Sequence, residues 1–303
     1  MSVNRLQTNL LKIFLVIISL ITGLSIDIYL PSLNAIQVHF DASYAAVQLT
    51  MSIYLAGFAI GQLIWGALSD RIGRVKILSM GLTIYRNKNN RARFSFKRLI
   101  HDYLNIITHK TFIFCNLALV SAFSSLFAFI SNSSHIMIDL IHDTPERYPF
   151  FITANAVALF AGGTVNRWLN TRFDSISVIT CGALWMMTGA MWMLINSFVF
   201  PGGIYGFIGS MAVCSFAVAW VIPNAIAESL TPFTESAGSA AALFGFLRYM
   251  AAFFVANMVS YFSVSSYTSL PISILICSAI IYTSMKFYLR YGADQGETVV
   301  ILR

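Results

Sequence analysis

The chain reads as an all-α, polytopic transmembrane helical bundle of about eight full spans plus one truncated helix. Three observations predict this. Hydrophobic residues make up 57% of the 303 residues and charged residues only 10%, against roughly a quarter charged in a soluble domain. The apolar residues gather in runs of about 20, the length that crosses a hydrocarbon core as a helix. The lysines and arginines fall between those runs and almost all on one side once the runs are counted as crossings.

Taken in order, the expected spans are Leu10–Leu30, Tyr44–Leu68, Thr111–Ile130, Tyr148–Leu169, Ile176–Asn196, Gly202–Ala225, Ala237–Tyr261 and Thr268–Leu289. The first follows Arg5 and Lys12 like a signal peptide, but it continues to Leu30 without a small-residue cleavage site, so it is expected to be retained. Ile77–Tyr85 is apolar but far too short to cross, and it stops at Arg86-Asn87-Lys88-Asn89-Asn90. With the N-terminus inside, cytoplasmic segments hold Arg5, Lys12, the dense cluster from Arg71 to Lys110, Arg167, Arg172, Lys286, Arg290 and Arg303. The outer loops hold only Arg147, beside Asp139, Asp143 and Glu146. Both termini are therefore expected in the cytoplasm.

The net charge of +7 thus serves topology, and no aromatic-interleaved basic face suggests nucleic acid. Within 86–110, a cytoplasmic linker is expected to lay Phe94, Phe96, Leu99, Ile100, Leu104 and Ile107 against lipid headgroups. Cys115, Cys181, Cys214 and Cys277 fall in or beside apolar spans at no metal-ligand spacing, and His39, His101, His109, His135 and His142 have no HExxH or CxxC partner. No metal, no cofactor and no enzymatic activity are expected.

A few residues stand out. Asp27 is the acidic residue embedded well inside an expected span; stranding it in hydrocarbon would cost about 3 kcal/mol, so it should face protein or a wet cavity, where a carboxylate can bind and release a proton. Arg248 is the matching cation, which does not readily lose its proton and needs a partner or water; Asp27, a bound anionic substrate or a carbonyl cluster could serve. Gly57 and Gly61 form a GxxxG pair, and Gly238, Ala242 and Gly245 give a second smooth face, both suited to close helix approach. Pro223-Asn224 is expected to break its span near the cytoplasmic end. Between Gly66 and Arg74 the sequence predicts a tight turn in which Asp70 can pair across the reversal with Arg71 or Arg74, with Gly73 supporting the bend.

With these residues in view, the chain resembles the major facilitator superfamily, and in particular its bicyclomycin-resistance group of drug–proton antiporters. Asp27-Ile28-Tyr29-Leu30-Pro31-Ser32-Leu33 resembles that group's first-helix motif, and Val47 to Leu63 continues the likeness. Gly66 to Arg74 resembles the loop between helices two and three, and Pro223-Asn224-Ala225 and Ala237 to Gly245 resemble helices ten and eleven. The resemblance implies a fold of two six-helix halves. Residues 1–85 would be a remnant of the first half, 86–110 the linker, 111–290 the complete second half and 291–303 a cytoplasmic tail. The rest of helix three and helices four to six, roughly a hundred residues at about 20 per span plus loops, would be missing through an internal deletion.

By the same resemblance the function would be proton-coupled export of small amphiphilic drugs across a bacterial inner membrane, impaired by that deletion. Asp27 would carry the proton, and Gly66, Asp70, Arg71, Gly73 and Arg74 would form a conformational latch. Tyr29, Tyr54, Phe123, Phe127, Trp220, Phe244 and Arg248 are the candidates for lining a substrate cavity. The sequence departs from the pattern at Arg248, where an uncharged residue such as glutamine is expected, and in lacking the basic residue and glycine-rich motif of helices four and five. The alternative is a non-transporting membrane remnant, or a subunit that packs against another protein.

Overall fold

The structure, a computed structural model, describes residues 39–41, 44–72, 103–137, 147–200, 203–233, 237–262 and 268–293. Two compact units divide at Met51/Ser52. Of the first, the described residues are 39–41 and the opening turns of helix α1, Tyr44–Ile72, which continues into the second. The second unit adds α2 (Lys110–His135), α3 (Tyr148–Leu169), α4 (Ser175–Val199), α5 (Ile204–Leu230), α6 (Ala237–Phe262) and α7 (Ser269–Ala293). Among the described residues, six helices, α2 to α7, are long and apolar enough to cross a membrane. The chain is a multi-pass membrane protein.

These six match the last six expected spans, and the differences lie at their ends. Pro223 does not break α5, which runs on to Leu230. A proline inside a transmembrane helix is tolerated where neighbouring helices brace it, and here Asn224, the next residue, ties α5 to α3. Its Nδ2 donates to Trp220 O at 2.7 Å and to Asn166 Oδ1 on α3 at 2.8 Å, while Asn170 Nδ2 donates to Asn224 Oδ1 at 2.9 Å. Of the other two expected spans, Leu10–Leu30 lies outside the described residues. Tyr44–Leu68 is helical, with a shorter apolar stretch at Ala56–Trp65.

Packing within the six follows a simple rule. α2 and α5 touch at the centre, α2 also packs on α6 and α7, α5 also packs on α3 and α4, and α4 packs on α7. Exchanging α2 with α5, α3 with α6 and α4 with α7 leaves this pattern unchanged. The main contacts therefore follow the pattern of two three-helix repeats, and because three crossings reverse direction the second enters from the opposite side, as in an inverted repeat. Connections such as the five residues from Asn170 to Asp174 are too short to recross. Lys110, Arg167, Arg172, Lys286 and Arg290 thus gather at one end of the bundle.

Small residues set the spacing. A side-chain carbon on Gly162 of α3 would strike the backbone oxygen of Phe216 on α5 and lie 3.0 Å from the Ala219 side chain. On α4, a side-chain carbon on Gly189 would lie 2.7 Å from Cys214 Sγ and 3.1 Å from Ser210 O. Lipid tails give no hydrophobic drive for helix association, so close backbone approach and interhelical hydrogen bonds hold such bundles together. Trp220 Nε1 donates to Gly162 O at 3.1 Å across this seam, and Ser284 Oγ on α7 reaches Phe114 O on α2 at 2.9 Å. Most other buried hydroxyls bond back to their own helix three or four residues earlier, as Ser125, Ser210 and Ser278 do.

Replacing Gly162 by Leu should therefore lower stability by about 1–3 kcal/mol, because the atom it meets is backbone and cannot yield. Gly163→Leu, at an exposed position with nothing within 4 Å, should change stability by no more than about 0.5 kcal/mol. Thermal unfolding of the purified protein in detergent distinguishes the two; equal effects would mean that α3 and α5 are not held at this distance.

Candidate functional site

One charged side chain lies deep in the described bundle, and aromatic rings surround it. Arg248 sits near the middle of α6, with its guanidinium carbon 4.6 Å from the ring centres of Phe123 on α2 and Tyr249 on α6, and 5.9 Å from that of Phe244. A cation over ring faces gains about 2 kcal/mol or more where water is excluded. The rings pack on one another as well. Phe123 meets Tyr249 edge to face at 5.3 Å and stacks with Phe127 at 6.2 Å, and Phe58 of α1 meets Tyr249 edge to face at 4.8 Å. Tyr54 stacks on Phe58 at 6.3 Å.

Helix periodicity explains why these residues meet. Tyr54, Phe58 and Gln62 recur every four positions and form one face of α1. On α6, Gly245 and Arg248 are three apart, and Tyr249 lies four beyond Gly245. Gly245 faces Gln62 at this contact: a side-chain carbon there would overlap the Gln62 amide, the mobile end of that side chain. Below this contact Tyr103 donates its hydroxyl to Leu63 O at 2.8 Å, and Leu63 packs on a small core of Ile106, Phe112, Ala240 and Leu243. Residues 103–108 are helical, with Leu104 and Ile107 exposed and Ile106 buried; Phe94, Phe96, Leu99 and Ile100 lie outside the described residues.

The rings take the faces of the cation but offer nothing to its edge. Arg248 Nε is buried without a hydrogen-bond partner, and so are Gln62 Oε1 and Asn116 Oδ1. Asn116 lies seven residues before Phe123 and therefore on the same side of α2.

The sequence candidates divide around this centre. Tyr54, Phe123, Phe127, Phe244 and Arg248 come together. Trp220 does not join them: it packs against Trp185 and Phe216, and lines an apolar groove of about 420 Å³ with Leu169, Phe173 and Cys181. Asp27, Tyr29, Gly73 and Arg74 lie outside the described residues. Gly66, Asp70 and Arg71 belong to α1, whose helix continues through Ile72, so the turn expected to begin at Gly66 is helical as far as the structure describes it. Gly57 and Gly61 have nothing within 4 Å among the described residues; the close-approach glycine of α1's neighbour is Gly245. Phe58, Gln62 and Tyr249 were not anticipated, although the four-residue spacing from Tyr54 and the adjacency to Arg248 were the available signals.

Against known proteins, residues 15–85 match the model of the Major Facilitator Superfamily. A bicyclomycin resistance protein homolog of Haemophilus influenzae is 37% identical over 68 residues, covering 22% of this chain and 17% of that protein. Multidrug resistance protein D of Escherichia coli is 31% identical over 75 residues, covering 25% of this chain and 19% of that protein. The chain thus aligns with less than a fifth of the length of these relatives. In three dimensions it is similar to the fucose:proton symporter of Escherichia coli, with a TM-score of 0.54 and 17% identity over 70% of this chain and 52% of that one. The fold is major-facilitator-like. The family model's match, residues 15–85, does not reach Arg248.

If Gly245 sets the α1–α6 distance, Gly245→Leu should weaken cross-linking between cysteines placed at Phe58 and Tyr249 by roughly an order of magnitude, since overpacking forces backbone shifts. A short bis-maleimide in a Cys181→Ser background, which removes the exposed native thiol, provides the measurement. An unchanged yield would mean that the glycine is not the contact that seats α1.

Proposed function

We propose that the chain is a transporter of small amphiphilic, drug-like molecules of the major facilitator kind, coupled to protons through Asp27 and impaired by an internal deletion of helices three to six. The observation that carries the reading is the ring-lined arginine at the seam of α1, α2 and α6, far from either end of its helix. A charge held there is expensive, and intramembrane ionisable residues mark substrate or ion pathways. Apolar walls with a few convergent polar groups are the usual makings of a small-molecule site, and amphiphilic solutes suit both. The match over residues 15–85 and the drug-resistance relatives support the same reading.

In this scheme Asp27 binds and releases the proton. Gly66, Asp70, Arg71, Gly73 and Arg74 hold one conformation of the helices and release it as they rock. Substrate lies against Tyr54, Phe127 and their neighbours, with Tyr29 as a further candidate. The order along the chain is a shortened first half (1–85), a linker (86–110), a complete second half (111–290) and a tail (291–303). The membrane is the bacterial inner membrane, with both termini in the cytoplasm. Proton coupling in a chain missing helices three to six requires that other groups replace the missing neighbours of Asp27.

Everted membrane vesicles from cells producing the chain should move a fluorescent amphiphilic dye when a proton gradient is imposed, at a rate below that of intact relatives. Asp27→Asn should abolish the dependence on the gradient. Dye movement equal to that of vesicles lacking the protein would overturn the transport reading and leave a membrane remnant.

A further inference from the structure

The arginine cluster carries more than a general preference for amphiphiles. A guanidinium presents five N–H donors in a rigid plane, and three rings satisfy only its charge and faces. No carboxylate among the described residues pairs with Arg248, and its Nε is a buried donor with no acceptor. A buried charged donor left this way is strongly destabilising. A neutral ligand relieves little of that cost, and a cationic one adds repulsion. A carboxylate relieves it best, because its two oxygens match the planar fork.

The surroundings define the rest of the ligand. Phe123, Phe244 and Tyr249 favour a flat, apolar body that can lie edge or face against rings. Gln62 Oε1 and Asn116 Oδ1 are acceptors lacking donors on the two flanking helices, and they call for a hydroxyl or amine on the same molecule.

We infer that the α1–α2–α6 seam is a binding site for a small aromatic carboxylate bearing a hydrogen-bond donor, with Arg248 holding the carboxylate, the rings holding the body, and Gln62 or Asn116 accepting from the donor. This rests on the transport reading and names its substrate class: an organic anion.

The test uses the full-length chain purified into lipid nanodiscs and titrated by equilibrium dialysis with three probes of one shape. These are para-hydroxybenzoate (anionic), para-hydroxybenzyl alcohol (neutral) and para-hydroxybenzylamine (cationic). The anion should bind at least about tenfold more tightly than the alcohol, the difference expected of a charge-assisted pair, and the amine most weakly. Arg248→Gln should erase the preference for the anion over the alcohol. Arg248→Lys, which keeps the charge, should retain a reduced preference and covers the case in which the glutamine variant does not fold. Phe123→Leu should weaken the anion and the alcohol together. Equal binding of anion and alcohol by the wild type would mean that the charge is already neutralised inside the protein. That result, or an unchanged preference in Arg248→Gln, overturns the inference and leaves dye transport standing. Absence of saturable binding of all three probes to a folded chain also overturns it, and vesicle transport then judges the transport reading by itself.

Discussion

The approach of α5 to the two helices before it is the contact on which the rest of the bundle depends. Gly162 on α3, with Gly182 and Gly189 on α4, leaves no room for a side chain against α5. In lipid, burying apolar surface between helices brings no gain over burying it in acyl chains, so such interfaces live on dispersion at short range and on hydrogen bonds. Both are present. Trp220 and Asn224 cross to α3, and Ser215 Oγ donates to Asn155 Oδ1. Once α5 is fixed, its partner under the internal twofold, α2, is held in the equivalent place by α6 and α7. α2 reaches the same closeness with Ala118, Ala122, Ala128 and buried serines in place of glycine.

The α1 contact is built differently. It runs along a single face, through Phe58 against Tyr249, Gln62 against Gly245 and the Tyr103 hydroxyl on Leu63. Under the twofold, α6 corresponds to α3. The outward face of α3, with Phe150 and Phe160 more than 70% exposed, has no described counterpart to α1. The symmetric body is therefore the six-helix part, and α1 is an addition to one side of it. Arg248 lies where the addition meets the body.

Hydropathy alone located these six helices, because the bilayer forces every backbone polar group into a helix and fixes a minimum length. What it could not locate were the ends and the contacts. Pro223 looked like a break because proline removes a donor and clashes with the preceding turn, and only the structure reveals Asn224 bridging to Asn166. The GxxxG at Gly57 and Gly61 looked like a seam, but spacing does not say which face meets a partner. Gly162, Gly182 and Gly189 carry the packing without being distinguishable in the sequence from glycines that face outward, such as Gly163. Arg248 was legible because a charge within a span is rare. Its cage was half legible: aromatic type pointed to Tyr54, Phe123, Phe127 and Phe244, but also to Trp220, which serves the α3–α5 seam instead.

The two seams also differ in how they treat polar groups. Between α3 and α5, Asn155, Asn166 and Asn224 make hydrogen bonds to one another or to serine; these amides hold helices together, and their neutral pairing is complete enough to do so without a ligand. At the α1–α6 seam the polar groups are stronger and less satisfied: a permanent cation with a buried, unbonded Nε, and an amide oxygen with no donor. A seam that holds its helices with paired neutral amides, as α3–α5 does, needs no arginine among rings for packing. A smaller apolar residue would pack against Phe123 and Tyr249 without the desolvation cost. Among the described residues nothing accepts from the Arg248 Nε, and a ligand carboxylate is the partner that the inferred site would supply.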